Sequence, residues 1–308
     1  MGRNIVDLDL ISDEDTTRKI PVKIVDIHRP FTLSCVLTVE ISGQDIGHDQ
    51  PVVQAILKLY DRRFAEQLRK DERIGPWTEE IESAFSELVR GGNAAEFVRK
   101  LREEDDFEEP DEGWSPAENE AYLHNECSEL FLTEVKAYTV LQTFQGKQIP
   151  KLYSAVTLRT AEAGESDQEK FLSINGVLIE YISGPTISNM TESVPRGSWQ
   201  SIVDQAVQIV RSYSQLGILN KDIRPTNFIV NDAVPDGDDH RVVMLDLALC
   251  RFRKPEESEA EWGREKWCED EEGAIGRVMQ TRFAKVGFEL NYSHSHQWIE
   301  WAPGEDDD

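Results

Sequence analysis

The first half of the chain carries short runs of apolar and β-branched residues, a composition typical of strands. The clearest run is Val52–Tyr60, and the runs Val22–Ile27 and Thr32–Ile41 precede it. Two further runs cover residues 148–158 and 176–182. The pattern therefore predicts a set of strands between residues 19 and 182.

Helical spacing of apolar residues predicts helices elsewhere in the chain. Ser115, Pro116 and Glu118 supply the N-cap, the first-turn proline and the N3 acid of a helix that is expected to reach Phe144. A second amphipathic helix is predicted over residues 199–216.

Shorter helical repeats fill residues 61–114, where Gly75-Pro76 and Gly91-Gly92 interrupt them. This segment is therefore predicted to be a helical insertion. Near the end of the chain, Pro255 is expected to open one helix. A further helix is expected over residues 272–283.

Composition narrows the classes of partner. The 308 residues are 39% hydrophobic and 30% charged, with a formal net charge of -26. This charge argues against a general nucleic-acid coat or an anionic membrane surface as partner, because both need basic patches. No apolar run approaches the roughly 20 residues that span a bilayer.

The N-terminal residues and the cysteines predict a cytoplasmic protein. Residues 1–18 are polar and acidic, which predicts a mobile leader, and they lack the layout of a secretory signal. The four cysteines are widely spaced, so they form no zinc-binding pair. Without a secretory signal, scattered thiols are expected to stay reduced.

Three acid or amide side chains stand at the ends of two short apolar strands. Asp222 and Asn227 lie on a proline-containing loop that precedes Phe228–Val230. A turn rich in Gly and Asp then leads to Val242–Leu245, which ends on Asp246. We expect the strand ends to bring these oxygen ligands together, and hard oxygen ligands suit Mg²⁺. A plain hairpin with polar turn residues would give the same residue types.

Two charged residues stand inside apolar stretches. Lys58 interrupts the strand at 52–60, and Lys is seldom buried without a partner. Glu134 falls inside the apolar stripe of the helix predicted from Ser115. A carboxylate that faces a core needs a cation, so we expect a Lys58–Glu134 ion pair. An outward Lys58 and a Glu134 that reaches water are the alternatives.

Together these residues resemble the protein-kinase-like superfamily. Its catalytic loop reads H-R-D-L-x-x-x-N and its metal motif D-F-G. Here the first reads N-K-D-I-R-P-T-N from Asn220 to Asn227, and the second reads D-L-A from Asp246 to Ala248. The chain is similar to short, degenerate kinase-like proteins of filamentous fungi.

The resemblance implies an α+β, two-lobed protein-kinase-like fold. An N-lobe with an antiparallel sheet would cover residues 19–182, including the insertion at about 61–114. A truncated, mostly helical C-lobe would cover residues 183–308. The implied activity is ATP- and Mg²⁺-dependent phosphoryl transfer to a small molecule or another non-peptide substrate.

The resemblance also implies roles for single residues. Asp222 would orient the accepting hydroxyl, while Asn227 and Asp246 would hold Mg²⁺. Arg224 would neutralise charge on the transferred group. Three further contacts are expected around ATP. Lys58 would bind the phosphates and Glu134 would hold Lys58 in place. The backbone of Glu180, Tyr181 and Ile182 would bond to adenine.

Departures from the kinase pattern leave two other functions open. Asn220 replaces a backbone-organising His, Ala248 replaces a hinge Gly, and no Gly occurs between Lys19 and Glu40. The chain could then be a pseudokinase or scaffold. It could also be a kinase-like fold repurposed for another group transfer, such as aminoacyl-tRNA-dependent cyclodipeptide synthesis. The expected tRNA-binding patch consists of Arg62, Arg63, Arg69, Lys70 and Arg73.

Overall fold

The computed structural model describes residues 4–11, 17–104, 106–160, 169–231 and 240–302. The chain divides into two units. The first comprises residues 1–135 and 152–181, and the second comprises residues 136–151 and 182–308.

The strands of the first unit form a closed barrel in the order β1-β2-β3-β4-β6-β5. All neighbouring strands are antiparallel. The strands are β1 (Ile5–Ile11), β2 (Thr17–His28), β3 (Cys35–Ser42), β4 (Val52–Leu59), β5 (Leu152–Leu158) and β6 (Ile174–Glu180). Each of the five apolar runs noted in the sequence overlaps one of the strands β2 to β6.

Alternate residues of the strands fill the barrel, as the period of two along a strand requires. Leu37, Val39 and Ile41 of β3 are buried together with Ala55 and Leu57 of β4. The other strands contribute the same kind of residue to this core.

The predicted two-lobed protein-kinase-like fold is wrong, because the first unit closes into a barrel. Closure depends on β1, which pairs with β2 on one side and with β5 on the other. The mobile leader predicted over residues 1–18 is also wrong where the structure describes it, since Leu8 and Leu10 lie in the barrel core. The sequence did not predict this strand, because Asp7 and Asp9 alternate with the leucines and make the segment polar overall.

Asp9 tolerates burial because it has a cation. Its side chain lies 2.5 Å from Nε of Arg159, and the residue is 6% exposed. A buried carboxylate is stable only with such a partner.

The segment 61–114, where the sequence predicts helical repeats, does contain helices. It contains α1 (Glu66–Asp71), α2 (Glu79–Arg90) and α3 (Asn93–Glu103), and α4 (Pro116–Val140) follows it. Phe85, Val89 and Phe97 of the insertion pack in one cluster with Ala121 of α4. The predicted cap of α4 is present, since Ser115 N donates to Glu118 at 2.8 Å and Glu118 N donates to Ser115 Oγ at 3.3 Å.

Across its described residues, the second unit combines three complete α-helices with two small sheets. Strand β7 pairs with β10, and β8 pairs with β9. The elements are α5 (Trp199–Ser214), β7 (Ile218–Asn220), β8 (Phe228–Asn231), β9 (Arg241–Met244), β10 (Cys250–Phe252), α6 (Glu259–Glu269) and α7 (Glu271–Lys285). The Gly/Asp-rich turn predicted between β8 and β9 lies largely outside the described residues.

Helix α6 begins four residues later than the prediction from Pro255. Ser258 is its N-cap and forms a reciprocal capping box with Glu261. Two satisfied backbone donors outweigh the conformational preference of a nearby proline.

A substitution at Gly176 tests how closely the strands of the barrel wall pack. It pairs with Leu59 in register, and an added Cβ would overlap the carbonyl oxygen of Lys58 and lie 2.9 Å from Leu59 Cδ2. We expect Gly176→Ala to lower the free energy of unfolding by about 1–3 kcal/mol. Urea denaturation measures this loss.

The matched control is Gly197→Ala, because nothing lies within 4 Å of a Cβ at that position. Its effect should stay within about 0.5 kcal/mol of zero. Equal stability of the two variants would contradict the close strand contact.

Candidate functional site

Two loops of the second unit lie side by side because β8 and β9 pair directly. Phe228 faces Met244 in register, and Leu245 N donates to Asn227 O at 2.7 Å. Asn227 is therefore bonded to the residue that precedes Asp246. The structure thus brings together the loop residues that the sequence singled out in this unit.

The carboxylate of Asp222 is held by two donors. Its Oδ2 accepts from Asn227 Nδ2 at 2.9 Å and from Arg224 Nη2 at 2.8 Å. Asn227 Nδ2 also donates to the backbone oxygen of Asp222 at 2.9 Å. The side chain of Asp222 is 18% exposed and that of Arg224 is 57% exposed. Asn227 thus fixes Asp222 from within the loop, while Arg224 reaches it from solvent.

Asn220 joins the two loops through its side-chain amide. Nδ2 donates to the backbone oxygen of Asp246 at 3.1 Å, and Oδ1 accepts from Asp222 N at 3.0 Å. The residue is 1% exposed. Asn220 stands where the kinase-like pattern would have a His. The carboxamide organises both loops instead, because it offers a donor and an acceptor.

Asp246 has a left-handed backbone conformation, with φ of 61°. Residues other than glycine seldom adopt this conformation. It persists only where neighbouring contacts hold it, and such residues are frequent at ligand sites. One of those contacts is the bond from Asn220 to the Asp246 carbonyl. Ala248, at the expected hinge position, is buried.

A buried charged cluster holds the backbone of Asn220. Glu271 Oε1 accepts from Asn220 N at 2.8 Å and from the Tyr213 hydroxyl at 2.5 Å. Its second oxygen is ion-paired with Lys266, whose ammonium also donates to Ile218 O at 3.0 Å. Burial lowers the pKa of Lys266, and the Glu271 carboxylate opposes that shift. The sequence did not predict the Lys266–Glu271 pair, because the surrounding segment is rich in charged residues and nothing in it marks these two as buried.

The predicted ion pair in the first unit is confirmed. Lys58 Nζ lies 3.1 Å from Glu134 Oε2, and the side chains are 9% and 1% exposed. The Tyr60 hydroxyl donates to the same carboxylate. The alternatives of an outward Lys58 and a solvated Glu134 are therefore wrong. A role of this pair toward phosphate stays a prediction.

The residues expected near adenine fall at the boundary of the units. Glu180 ends β6, and Tyr181 is the last residue of the first unit. Tyr181 is 38% exposed, whereas Ile182 begins a segment of the second unit and is buried. Their contact with adenine stays a prediction.

Three of the four arginines in the expected basic patch are engaged in ion pairs. Arg62 is ion-paired with Glu82 and Glu120, and Arg69 is ion-paired with Glu120. Both arginines are buried. Arg63 is likewise paired with Asp61 at 2.7 Å. These cations neutralise carboxylates of the same unit, and only Lys70 and Arg73 of the predicted set are exposed.

The loop residues carry oxygen atoms of the kind that Mg²⁺ binds. The described residues contain no group of three or more His, Cys, Asp or Glu side chains that could hold a metal. Mg²⁺ needs fewer protein ligands, because it binds through one or two carboxylates together with substrate phosphates. Asp246 supplies a carboxylate. Asn227 uses its nitrogen on Asp222, which leaves its amide oxygen as the ligand atom.

The chain matches no known family profile, and no curated protein is similar to it in sequence. Across the described ranges, no helix is both long enough and apolar enough to cross a membrane.

The buried pair offers a direct test by substitution. We expect Lys58→Met to lower the free energy of unfolding by about 3–5 kcal/mol, because it leaves Glu134 buried without its cation. The double variant Lys58→Met/Glu134→Leu should cost less than the sum of the single changes. Urea denaturation of all three variants gives the coupling energy.

The matched surface pair is Lys23–Glu40, whose atoms lie 2.7 Å apart with side chains 59% and 32% exposed. Lys23→Met should cost no more than about 1 kcal/mol. If Lys58→Met is as mild as Lys23→Met, the Lys58–Glu134 pair is not the buried interaction described above.

Proposed function

We propose that the protein is an ATP- and Mg²⁺-dependent phosphotransferase that acts on a small molecule or another non-peptide substrate. The observation that carries this proposal is the buried amide of Asn220, which bonds the loops of Asp222 and Asp246 to each other. A plain hairpin with polar turn residues does not require such a buried connection. The proposal rests on this local chemistry and not on a fold.

Asp246 and Asn227 are the residues that would hold Mg²⁺. A bound Mg²⁺ neutralises charge on the phosphates during phosphoryl transfer. The left-handed backbone conformation of Asp246 supports this assignment, because residues in such conformations are frequent at ligand sites. Asn227 is fixed as well, by the bonds of its nitrogen to Asp222.

Asp222 is proposed to accept a hydrogen bond from the substrate hydroxyl and to orient it. Oδ2 is engaged by Asn227 and Arg224, so Oδ1 is the oxygen assigned to the substrate. Arg224 is largely exposed and is bonded to the same carboxylate. Its guanidinium is proposed to bind an anionic group of the substrate or the transferred phosphoryl group, since its planar donors match such oxygens.

Lys58 and Glu134 enter the proposal separately, because they lie in the first unit. A buried ammonium held by a carboxylate is a suitable phosphate ligand when its other protons can reach the anion. The contribution of Lys58 to nucleotide binding is therefore measured on its own below.

No observation favours the tRNA-dependent alternative, because Arg62, Arg63 and Arg69 are engaged in ion pairs. A cytoplasmic location is part of the proposal. None of the four cysteines is in a disulfide and three are buried, as is common for thiols in a reducing compartment.

The first test is a calorimetric titration with ATP, with and without Mg²⁺. We expect wild type to bind ATP in a Mg²⁺-dependent manner. Asp246→Asn should weaken this binding at least about tenfold, because a charge-assisted contact is worth about 1.5–3 kcal/mol. Asp204→Asn, an exposed acid on α5, should bind like wild type. The affinity of Lys58→Met for ATP shows whether Lys58 of the first unit contributes to ATP binding.

Phosphoryl transfer to water in the absence of substrate separates binding from catalysis. We expect Asp222→Asn to keep Mg²⁺-dependent ATP binding but to release no inorganic phosphate from ATP. The release is measured by ³¹P NMR. The proposal fails if wild type binds no ATP with Mg²⁺, an outcome that favours the scaffold alternative. It also fails if Asp246→Asn binds as tightly as Asp204→Asn.

A further inference from the structure

A cavity of about 380 Å³ opens within the second unit, and none of the loop residues Asp222, Asn227 or Asp246 lines it. Its walls come from α5, the last turn of α6, the first turns of α7 and the segment 294–299. Small-molecule sites typically measure about 300–1,000 Å³. The cavity therefore has room for a ligand of one or two rings.

The segment that forms the outer wall is fixed against the helices. A Cβ at Gly276 of α7 would overlap the ring of Tyr292, and a Cβ at Gly263 of α6 would overlap the ring of Trp301. Between these two rings, Ser295 donates to Glu272 from its backbone nitrogen at 2.8 Å and from its hydroxyl at 2.6 Å. At each end of the wall an aromatic ring packs against a glycine and holds the wall in place. The cavity is therefore a defined part of the folded structure.

The acidic groups that line the cavity are already engaged. Glu271 is bonded to Lys266, Tyr213 and Asn220. Glu272 accepts from Arg211 at 2.6 Å as well as from Ser295. Burial opposes ionisation of Glu272, but the bonds from Arg211 and Ser295 outweigh it and lower the pKa of Glu272 to about 2.

The third acid, Asp270, is engaged too. Its carboxylate lies 2.6 Å from His294 Nε2 and accepts from Gly273 N at 3.1 Å. A cationic ligand would therefore have to displace existing partners of these acids.

The guanidinium of Arg277, in contrast, lies at the cavity with only a distant ion-pair partner. The Arg277 side chain is 57% exposed, and its nearest ion-pair partner, Asp270, is 3.9 Å away. A guanidinium in this state has the planar donors that match a carboxylate. The lining thus favours a ligand that brings acceptor oxygens.

Aromatic side chains form another part of the lining. Trp267, which is 38% exposed, and Trp298 both line the cavity. The rings of His294 and His296 lie 4.7 Å apart between their centroids. Such walls suit a planar ring, because aromatic pairs add stacking to the burial of apolar area.

We propose that this cavity is a binding site for a small aromatic carboxylate, with Arg277 as the ligand for the carboxylate group and the indole rings as walls for the ring. The net charge of -26 does not prevent this, because Arg211, Lys266 and Arg277 offset Asp270, Glu271 and Glu272 in the lining, and exposed charges more than about 8 Å away are screened at physiological ionic strength. The proposed ligand contacts use none of the loop residues Asp222, Asn227 or Asp246.

The test uses 2-naphthoate and its uncharged analogue 2-naphthamide on the full chain, with dissociation constants from saturation-transfer NMR. We expect wild type to bind naphthoate about tenfold more tightly than naphthamide. Arg277→Gln should remove this preference, because it deletes one charge-assisted contact. Arg264→Gln, an exposed arginine of α6 outside the cavity, should behave like wild type.

Cys268→Phe provides a second variant, since Cys268 is exposed and lines the cavity. The added ring should occupy the cavity and abolish binding of both compounds. Three results would overturn the proposal: no binding of naphthoate to wild type, equal binding of naphthoate and naphthamide, or naphthoate binding that Arg277→Gln and Cys268→Phe leave unchanged.

Discussion

The candidate site depends on the buried side chain of Asn220. One amide group bonds the backbone of Asp222 and the backbone of Asp246, and Glu271 holds the backbone nitrogen of Asn220 itself. Each of these groups would cost free energy if it were buried without a partner. The two loops and the charged cluster therefore form one network, in which the loss of a member leaves others unsatisfied.

The strands bring this network together. Asn220 ends β7, where it faces Cys250 of β10, and Asn227 directly precedes β8, which pairs with β9. Lys221 N donates to Leu249 O at 3.2 Å, so the two chain segments are also bonded beside the loops. Two short sheets thus set the positions of both loops. A pair of three-residue strands is weak by itself, which explains why a buried charged cluster supports it.

Sequence patterns predicted much of this structure where the physical signal is local. Five of the six barrel strands follow from apolar runs, and the start of α4 follows from its capping residues. The Lys58–Glu134 pair was predictable because each charge lies in an apolar stretch and needs the other. Closure of the barrel was not predictable from Asp7 and Asp9, because the partner of Asp9, Arg159, lies 150 residues further along the chain. The Lys266–Glu271 pair and the partners of Arg62 and Arg69 were missed because nothing in a charged segment marks which charges are buried.

The central claim is that Asn220 holds both loops as a unit, and backbone hydrogen exchange in wild type and in Asn220→Leu tests it most directly. The account predicts that the Asp222 amide loses its protection in the variant and that amides next to Asp246 exchange faster with it, while the amides of β8 and β9 stay protected. Unchanged protection at Asp222, or faster exchange at Asp222 without any change near Asp246, would contradict it.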